Sequence, residues 1–142
     1  FTARELIAAF ATGKEEFEGV GELEAYRQLS DYLLRMHGRG ILFRDLSGGN
    51  ILIDKRPDGS LSFSLIDTGR IRVFQGALSL RQRFFDLVRI CNKLHREGRK
   101  RFLGIYLAAL RRRLRCWHFL PFMVYDFKVA AKRRVGRKAW KR

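Results

Sequence analysis

Ile41-Leu42-Phe43-Arg44-Asp45-Leu46-Ser47-Gly48-Gly49-Asn50-Ile51-Leu52-Ile53 decides how this 142-residue chain is read. It carries an acid and, five positions later, an amide, between two apolar strand-like runs. A second stretch, Phe63-Ser64-Leu65-Ile66-Asp67-Thr68-Gly69-Arg70, adds another acid just past a third apolar run. A carboxylate on a loop can orient a hydroxyl and take its proton. An amide oxygen nearby can ligate Mg²⁺ without adding charge, and a carboxylate at a strand end can bridge metal to nucleotide phosphates. Asp45, Asn50 and Asp67 suit these three roles in that order.

Each residue alone has a plainer explanation. Asp45 reads as a turn or cap residue, Asn50 as a left-handed turn residue after Gly48-Gly49, and Asp67-Thr68-Gly69 as a strand-ending turn. Their conjunction, in order and each beside an apolar strand, favours a phosphotransferase-type site.

Working outward, Asp54-Lys55-Arg56-Pro57-Asp58-Gly59 is a turn signal. Leu61-Ser62-Phe63-Ser64-Leu65 alternates as the returning strand of a hairpin. Upstream, Thr2-Ala3-Arg4-Glu5 reads as a capping box opening a helix through about Ala11, which Gly13 ends. Glu15-Glu16-Phe17-Glu18-Gly19 reads as a loop. Leu23, Tyr26, Leu29, Leu33 and Met36 recur at helical spacing over about Gly21 to His37. Downstream, a loop is expected from Thr68 to about Ser79. A third helix is expected over Leu80 to Glu97, stopped by Gly98, and a fourth over about Lys100 to Arg115. Trp117 to Phe127 is aromatic and apolar, broken by Pro121. The expected class is α+β, mostly helical, with one small β-hairpin. A domain over 1–127 would hold a catalytic loop at 41–53 and a metal segment at 65–70, and 128–142 would be a basic C-terminal tail.

Composition sets the bounds. At 46% hydrophobic the chain can bury a core, and no apolar run reaches the ~20 residues of a membrane span. Cys91 and Cys116 lack metal-ligand spacing and read as reduced thiols, Cys91 on a core stripe. His37, His95 and His118 do not cluster, and each reads as a partly buried histidine rather than a ligand. The net charge of +16 favours anionic partners without choosing among them. Its clusters are Arg111, Arg112 and Arg113, and a tail containing Lys132, Arg133 and Arg134. The tail from Lys128 carries eight Lys/Arg, and no acid follows Asp126.

Leu34 to Leu52 resembles the catalytic loop of the protein-kinase-like superfamily, and Leu65-Ile66-Asp67-Thr68-Gly69 resembles its metal-binding Asp-Phe-Gly segment. Within the superfamily the chain is most similar to the lipopolysaccharide kinases. Ile66-Asp67-Thr68-Gly69-Arg70-Ile71-Arg72, Arg83-Phe84-Phe85-Asp86-Leu87-Val88-Arg89 and Arg101-Phe102-Leu103-Gly104-Ile105-Tyr106-Leu107 carry that likeness. The resemblance covers about Leu23 to Leu110. It implies a kinase-like C-terminal lobe that uses ATP and Mg²⁺ to phosphorylate a sugar hydroxyl of the lipid A–Kdo/heptose core. Asp45 would be the catalytic base, Asn50 and Asp67 the metal ligands, and Asp86 the helix residue anchoring the catalytic-loop backbone. Arg44 would be a supporting loop arginine, against the plainer reading of one more surface charge.

Two departures leave catalysis possible: Phe43 stands where many kinases have His, and Thr68 where protein kinases have Phe. The 19 positions from Asp67 to Asp86, with no Ala-Pro-Glu segment, favour a sugar or small-molecule acceptor over a protein. No glycine-rich loop and no strand lysine with a helix glutamate partner can be assigned before Asp45. The chain therefore reads as a C-terminal lobe without its N-terminal lobe, weakly active or inactive alone. The expected location is cytoplasmic, peripheral on an inner membrane, with the basic clusters docking on anionic lipid and nucleic acid disfavoured. The alternatives are an aminoglycoside- or choline-kinase-like enzyme, against which Arg70 and Arg72 weigh, and a non-catalytic pseudokinase or basic binding module.

Overall fold

A computed structural model describes the backbone of residues 1–139 and the side chains through residue 133. The side chains of Arg134 and Trp140 lie outside the described residues.

The order is α1 (Ala3–Ala11), β1 (Glu16–Phe17), β2 (Val20–Gly21), α2 (Glu22–Gly38), β3 (Ile41–Leu42), β4 (Ile51–Lys55), β5 (Leu61–Leu65), β6 (Arg72–Val73), α3 (Leu80–Cys91), α4 (Arg96–Ala109) and α5 (Leu120–Ala139). Helix covers 57% of the chain, giving the mostly helical α+β class expected. The Thr2–Glu5 capping box forms, and α1 runs through Ala11 as read. Of the α2 stripe, Tyr26, Leu29, Leu33 and Met36 are buried, while Leu23 is half exposed.

Three pairs of antiparallel strands form. β4 and β5 make the expected hairpin, with Ile51 opposite Leu65 and Lys55 opposite Leu61. β1 and β2 turn the acidic stretch into a small hairpin rather than a loop, with Glu18 and Gly19 at positive φ in its turn. Phe17 is buried there against Phe1 at 5.4 Å, and this apolar anchor outweighs the flanking acids. The third pair, β3 with β6, lies partly where a loop was expected, with Leu42 opposite Arg72. A two-residue strand has no alternation to read, so only its partner reveals it.

The expected third helix is shorter and the fourth begins earlier, at Arg96 rather than about Lys100. α3 ends at Cys91, and His95 caps α4 by accepting the Gly98 amide at 3.2 Å. Gly98 therefore sits in the first turn of α4 and stops nothing. It is buried, and an added Cβ would meet the Tyr26 hydroxyl at 2.9 Å. α4 ends at Ala109, and Arg111 turns the chain at φ 55°. Arg111, Arg112 and Arg113 are thus on an exposed irregular segment, not in the last turns of a helix. Pro121 falls in the first turn of α5, where its missing N–H has no helical partner to lose. Phe127 and Lys128 are consecutive residues of that one helix.

The core is aromatic. Tyr26 of α2 packs edge-on to Phe102 of α4 with ring centres 6.1 Å apart, and Phe84 of α3 meets Phe122 of α5 at 5.5 Å. The free thiol of Cys91 is buried in it, while Cys116 is exposed.

Candidate active site

Strand pairing brings the two key stretches together. Residues 43–50 connect β3 to β4, and residues 66–71 connect β5 to β6. Because β3 pairs with β6 and β4 with β5, both connections emerge at one end of the two ladders. The Ile66 amide donates to the Asn50 carbonyl at 3.0 Å, stitching one connection to the other. Asp67 follows directly.

The first connection is pinned by what flanks the acid. Phe43 and Leu46 are fully buried, so the chain is held on both sides of Arg44-Asp45. Asp45 is left half-buried, its side chain 35% exposed. Phe43, where a kinase often has His, serves as packing. Arg44 adopts φ 60° and Asp67 φ 54°, a left-handed conformation that costs energy in any residue with a Cβ. Such conformations persist where surrounding contacts impose them.

Asp86 supplies one such contact. Its buried carboxylate accepts the Phe43 amide at 2.7 Å and the Arg44 amide at 2.8 Å. Behind it lies a buried chain of polar groups from three helices. Arg83 donates through Nε to the Leu78 carbonyl at 2.8 Å and through Nη1 to the Tyr106 hydroxyl at 3.2 Å. The Tyr106 hydroxyl lies 2.6 Å from His37 Nδ1. His37 Nε2 makes no hydrogen bond but sits 3.4 Å from Asp86 Oδ2. Burial pushes the Tyr106 hydroxyl up to about 12, so it keeps its proton for His37 Nδ1. Burial also lowers the His37 pKa, against the pull of Asp86, leaving the ring neutral with Nε2–H facing the carboxylate. His37 is thus wholly buried, not partly. Only its place one helical turn after Leu33 was visible in sequence, and nothing there pairs it with Tyr106, 69 positions away.

Asn50 uses one end of its amide internally: Nδ2 donates to the Asp45 carbonyl at 3.0 Å. That bond fixes which end is which and leaves Oδ1 as a directed oxygen donor. Asp67 is exposed. Among the described residues no three of His, Cys, Asp and Glu come together as a metal site. An amide oxygen and one carboxylate still fit magnesium, which is commonly held by one or two protein oxygens plus water and substrate phosphates.

The reading of sequence left one neighbour out. Arg70 Nη1 lies 3.4 Å from Asp45 Oδ2. It stands on the short 3₁₀ turn Thr68–Arg70 that follows Asp67. Its only signal was its place after Asp67-Thr68-Gly69. Arg44 approaches through its backbone, not through any recorded side-chain contact. Arg111, Arg112, Arg113, Lys132 and Arg133 are exposed and lie on other elements.

The Gly48-Gly49 pair has a packing reason. A Cβ on Gly48 would come 3.0 Å from the Arg4 backbone nitrogen, and one on Gly49 would come 2.6 Å from the Arg4 guanidinium. α1 therefore lies directly on the loop that ends in Asn50.

No family model matches the chain, and no curated protein matches it. Among solved structures it is similar to WaaP in complex with acyl carrier protein, with a TM-score of 0.57 and 23% sequence identity. The match covers 78% of this chain and 49% of that one, so the chain spans about half the length of the structure it resembles. At that identity the likeness shows the fold: the chain shares the fold of WaaP over most of its length.

Proposed function

We propose that the intact protein containing this chain is an ATP-dependent phosphotransferase acting on a sugar hydroxyl of the lipopolysaccharide core. The observation that carries the reading is the side-by-side arrangement of residues 43–50 and 66–71, with Asp45 and Asn50 on one and Asp67 on the other. The shared fold supports it at the level of a kinase-like protein.

In this reading Asp45 accepts the proton of the acceptor hydroxyl as its oxygen bonds the γ-phosphorus and the bond to the β-phosphate oxygen breaks. Asn50 Oδ1 and the Asp67 carboxylate would hold Mg²⁺, which when bound neutralises phosphate charge. Asp86 is a positioning residue: it fixes the Phe43 and Arg44 amides, and with them the direction of Asp45. Arg70 holds the Asp45 side chain until an acceptor displaces it, an exchange made easy by the weakness of an exposed ion pair. The short interval between Asp67 and α3, which contains β6 and no long segment for docking a peptide, favours a sugar acceptor. The reaction would run at the cytoplasmic face of an inner membrane.

The test is transfer of labelled γ-phosphate by the intact protein to lipopolysaccharide core lacking phosphate, beside a peptide and an aminoglycoside. Label on the core sugar alone supports the reading. Label on the aminoglycoside alone moves the protein to the other small-molecule kinases, and no transfer to any acceptor favours a non-catalytic module.

A further inference from the structure

α5 is apolar on two opposite sides. One side is packed: Phe122 is buried against Phe84. Asp126 accepts from Asn92 at 2.6 Å and pairs with Arg99 at 2.7 Å. The other side faces water. Leu120, Met123, Val124 and Phe127 are 61, 64, 46 and 76% exposed. Their spacing of three, four and seven puts them on one face of the helix, away from Phe122 and Asp126. Trp117, just ahead of the helix, is 55% exposed. A run of large apolar side chains on an open surface marks a place where something docks.

Charge selects the occupant. After Leu110 the chain contains a single acid, Asp126, and that one is engaged by Arg99 and Asn92. Beside the stripe, Arg81, Arg89 and Lys128 line one cleft with Val124, and Arg96 and Lys100 line another with Met123. Lys128 follows Phe127 directly, and Lys132 stands one helical turn further. An exposed apolar stripe on one helix, edged by more basic residues than acids, with Glu97 the one unpaired acid beside Met123 among the described residues, matches the interface of an anionic bilayer. No described helix is long and apolar enough to cross a membrane.

We infer that α5 is an interfacial helix: Leu120, Met123, Val124 and Phe127 enter the acyl boundary of an anionic lipid surface, and Lys128 and Lys132 lie at headgroup level. The inference does not depend on the phosphotransferase reading. It assigns the holding contact to an apolar stripe, whereas the charge alone accounts only for attraction. Salt alone therefore weakens the contact without abolishing it.

Flotation of the intact protein with phosphatidylcholine vesicles, with and without about a third phosphatidylglycerol, tests this. The protein is expected to float with the anionic vesicles. Met123→Glu/Phe127→Glu should reduce that binding at least about tenfold, while Met123→Leu/Phe127→Leu retains it. All four side-chain changes are at exposed positions, and an unchanged melting curve checks the fold. Should the glutamate pair fail to fold, Met123→Ser/Phe127→Ser replaces it. A nitrobenzoxadiazole label on Met123→Cys, in a Cys116→Ser background, should shift its emission to the blue with anionic vesicles only. Equal flotation of parent and glutamate variant, or an unshifted label, overturns the inference. So does loss of a complex with an acidic protein in that variant while flotation is unchanged. Phosphate transfer to a lipid-free acceptor should be the same in parent and variant, which keeps the two readings separate.

Discussion

Asp86 Oδ1 accepts the backbone amide of Arg44 at 2.8 Å, 42 positions away in sequence, while Arg44 sits at φ 60°. The contact joins α3 to the residue before Asp45. With the second bond to Phe43 it satisfies two backbone amides, that of Phe43 buried and that of Arg44 part-buried. Asp86→Ala strands the Phe43 amide, at about 1–3 kcal/mol, and breaks the Arg44 bond as well. The melting temperature should fall by roughly 10 °C, and turnover of the intact protein should fall with it. Asp86→Asn keeps one acceptor oxygen and turns an NH₂ toward the other amide, so it should lose about half as much. Calorimetry of the two variants checks this, and an Asp86→Ala protein melting like the parent contradicts the anchoring role.

His37 sets a pH dependence of stability. Its folded pKa is lowered by burial, below the ordinary 6.5 of the unfolded chain. The unfolded state therefore binds a proton that the folded state resists. This contribution to stability is present in full above pH 6.5 and is lost as pH falls through the depressed folded value. Urea midpoints should decline from pH 7.5 to pH 5.5. In His37→Gln, which can still accept from Tyr106, that decline should be shallower. A slope unchanged by the substitution would assign it to other groups.

How much of this was legible follows the range of each contact. The α1 capping box is a four-residue signal, and the β4–β5 hairpin is announced by Pro57, Asp58-Gly59 and the alternation of Leu61 to Leu65. Asp45, Asn50 and Asp67 stand out because each sits beside an apolar run. What was hidden depends on partners far along the chain. β6 exists because β3 pairs with it, and Gly98 belongs to α4 because His95 caps that helix. Arg83, Tyr106 and His37 form a buried network although none lies in a polar motif. Arg70 stood out in sequence only for the family likeness, and its place beside Asp45 came from the fold.

Gly40 and Gly13 form a matched pair for the backbone. Both are at positive φ, 76° and 85°. A Cβ on Gly13 would meet nothing within 4 Å, whereas one on Gly40 would lie 2.2 Å from the Phe74 carbonyl oxygen and 2.5 Å from that of Gly76. Gly13→Ala should cost only the left-handed penalty, about 1–2 kcal/mol. Gly40→Ala must also push β6 off β3, adding roughly 1–3 kcal/mol or more of overpacking, and should loosen the connection that carries Asp67. Denaturant midpoints of the two variants measure the difference directly. Equal losses would mean that the backbone around Gly40 yields freely.

The most direct measurement is Mg²⁺-dependent ATP turnover by the intact protein, parent against Asp67→Asn. Asp67 is exposed and makes no hydrogen bond among the described residues, so the substitution should leave the melting curve in place while removing the carboxylate proposed to hold metal. Turnover should fall at least about a hundredfold. A folded Asp67→Asn protein that turns over ATP at the parent rate would contradict the assignment of residues 43–50 and 66–71 as a phosphotransfer site.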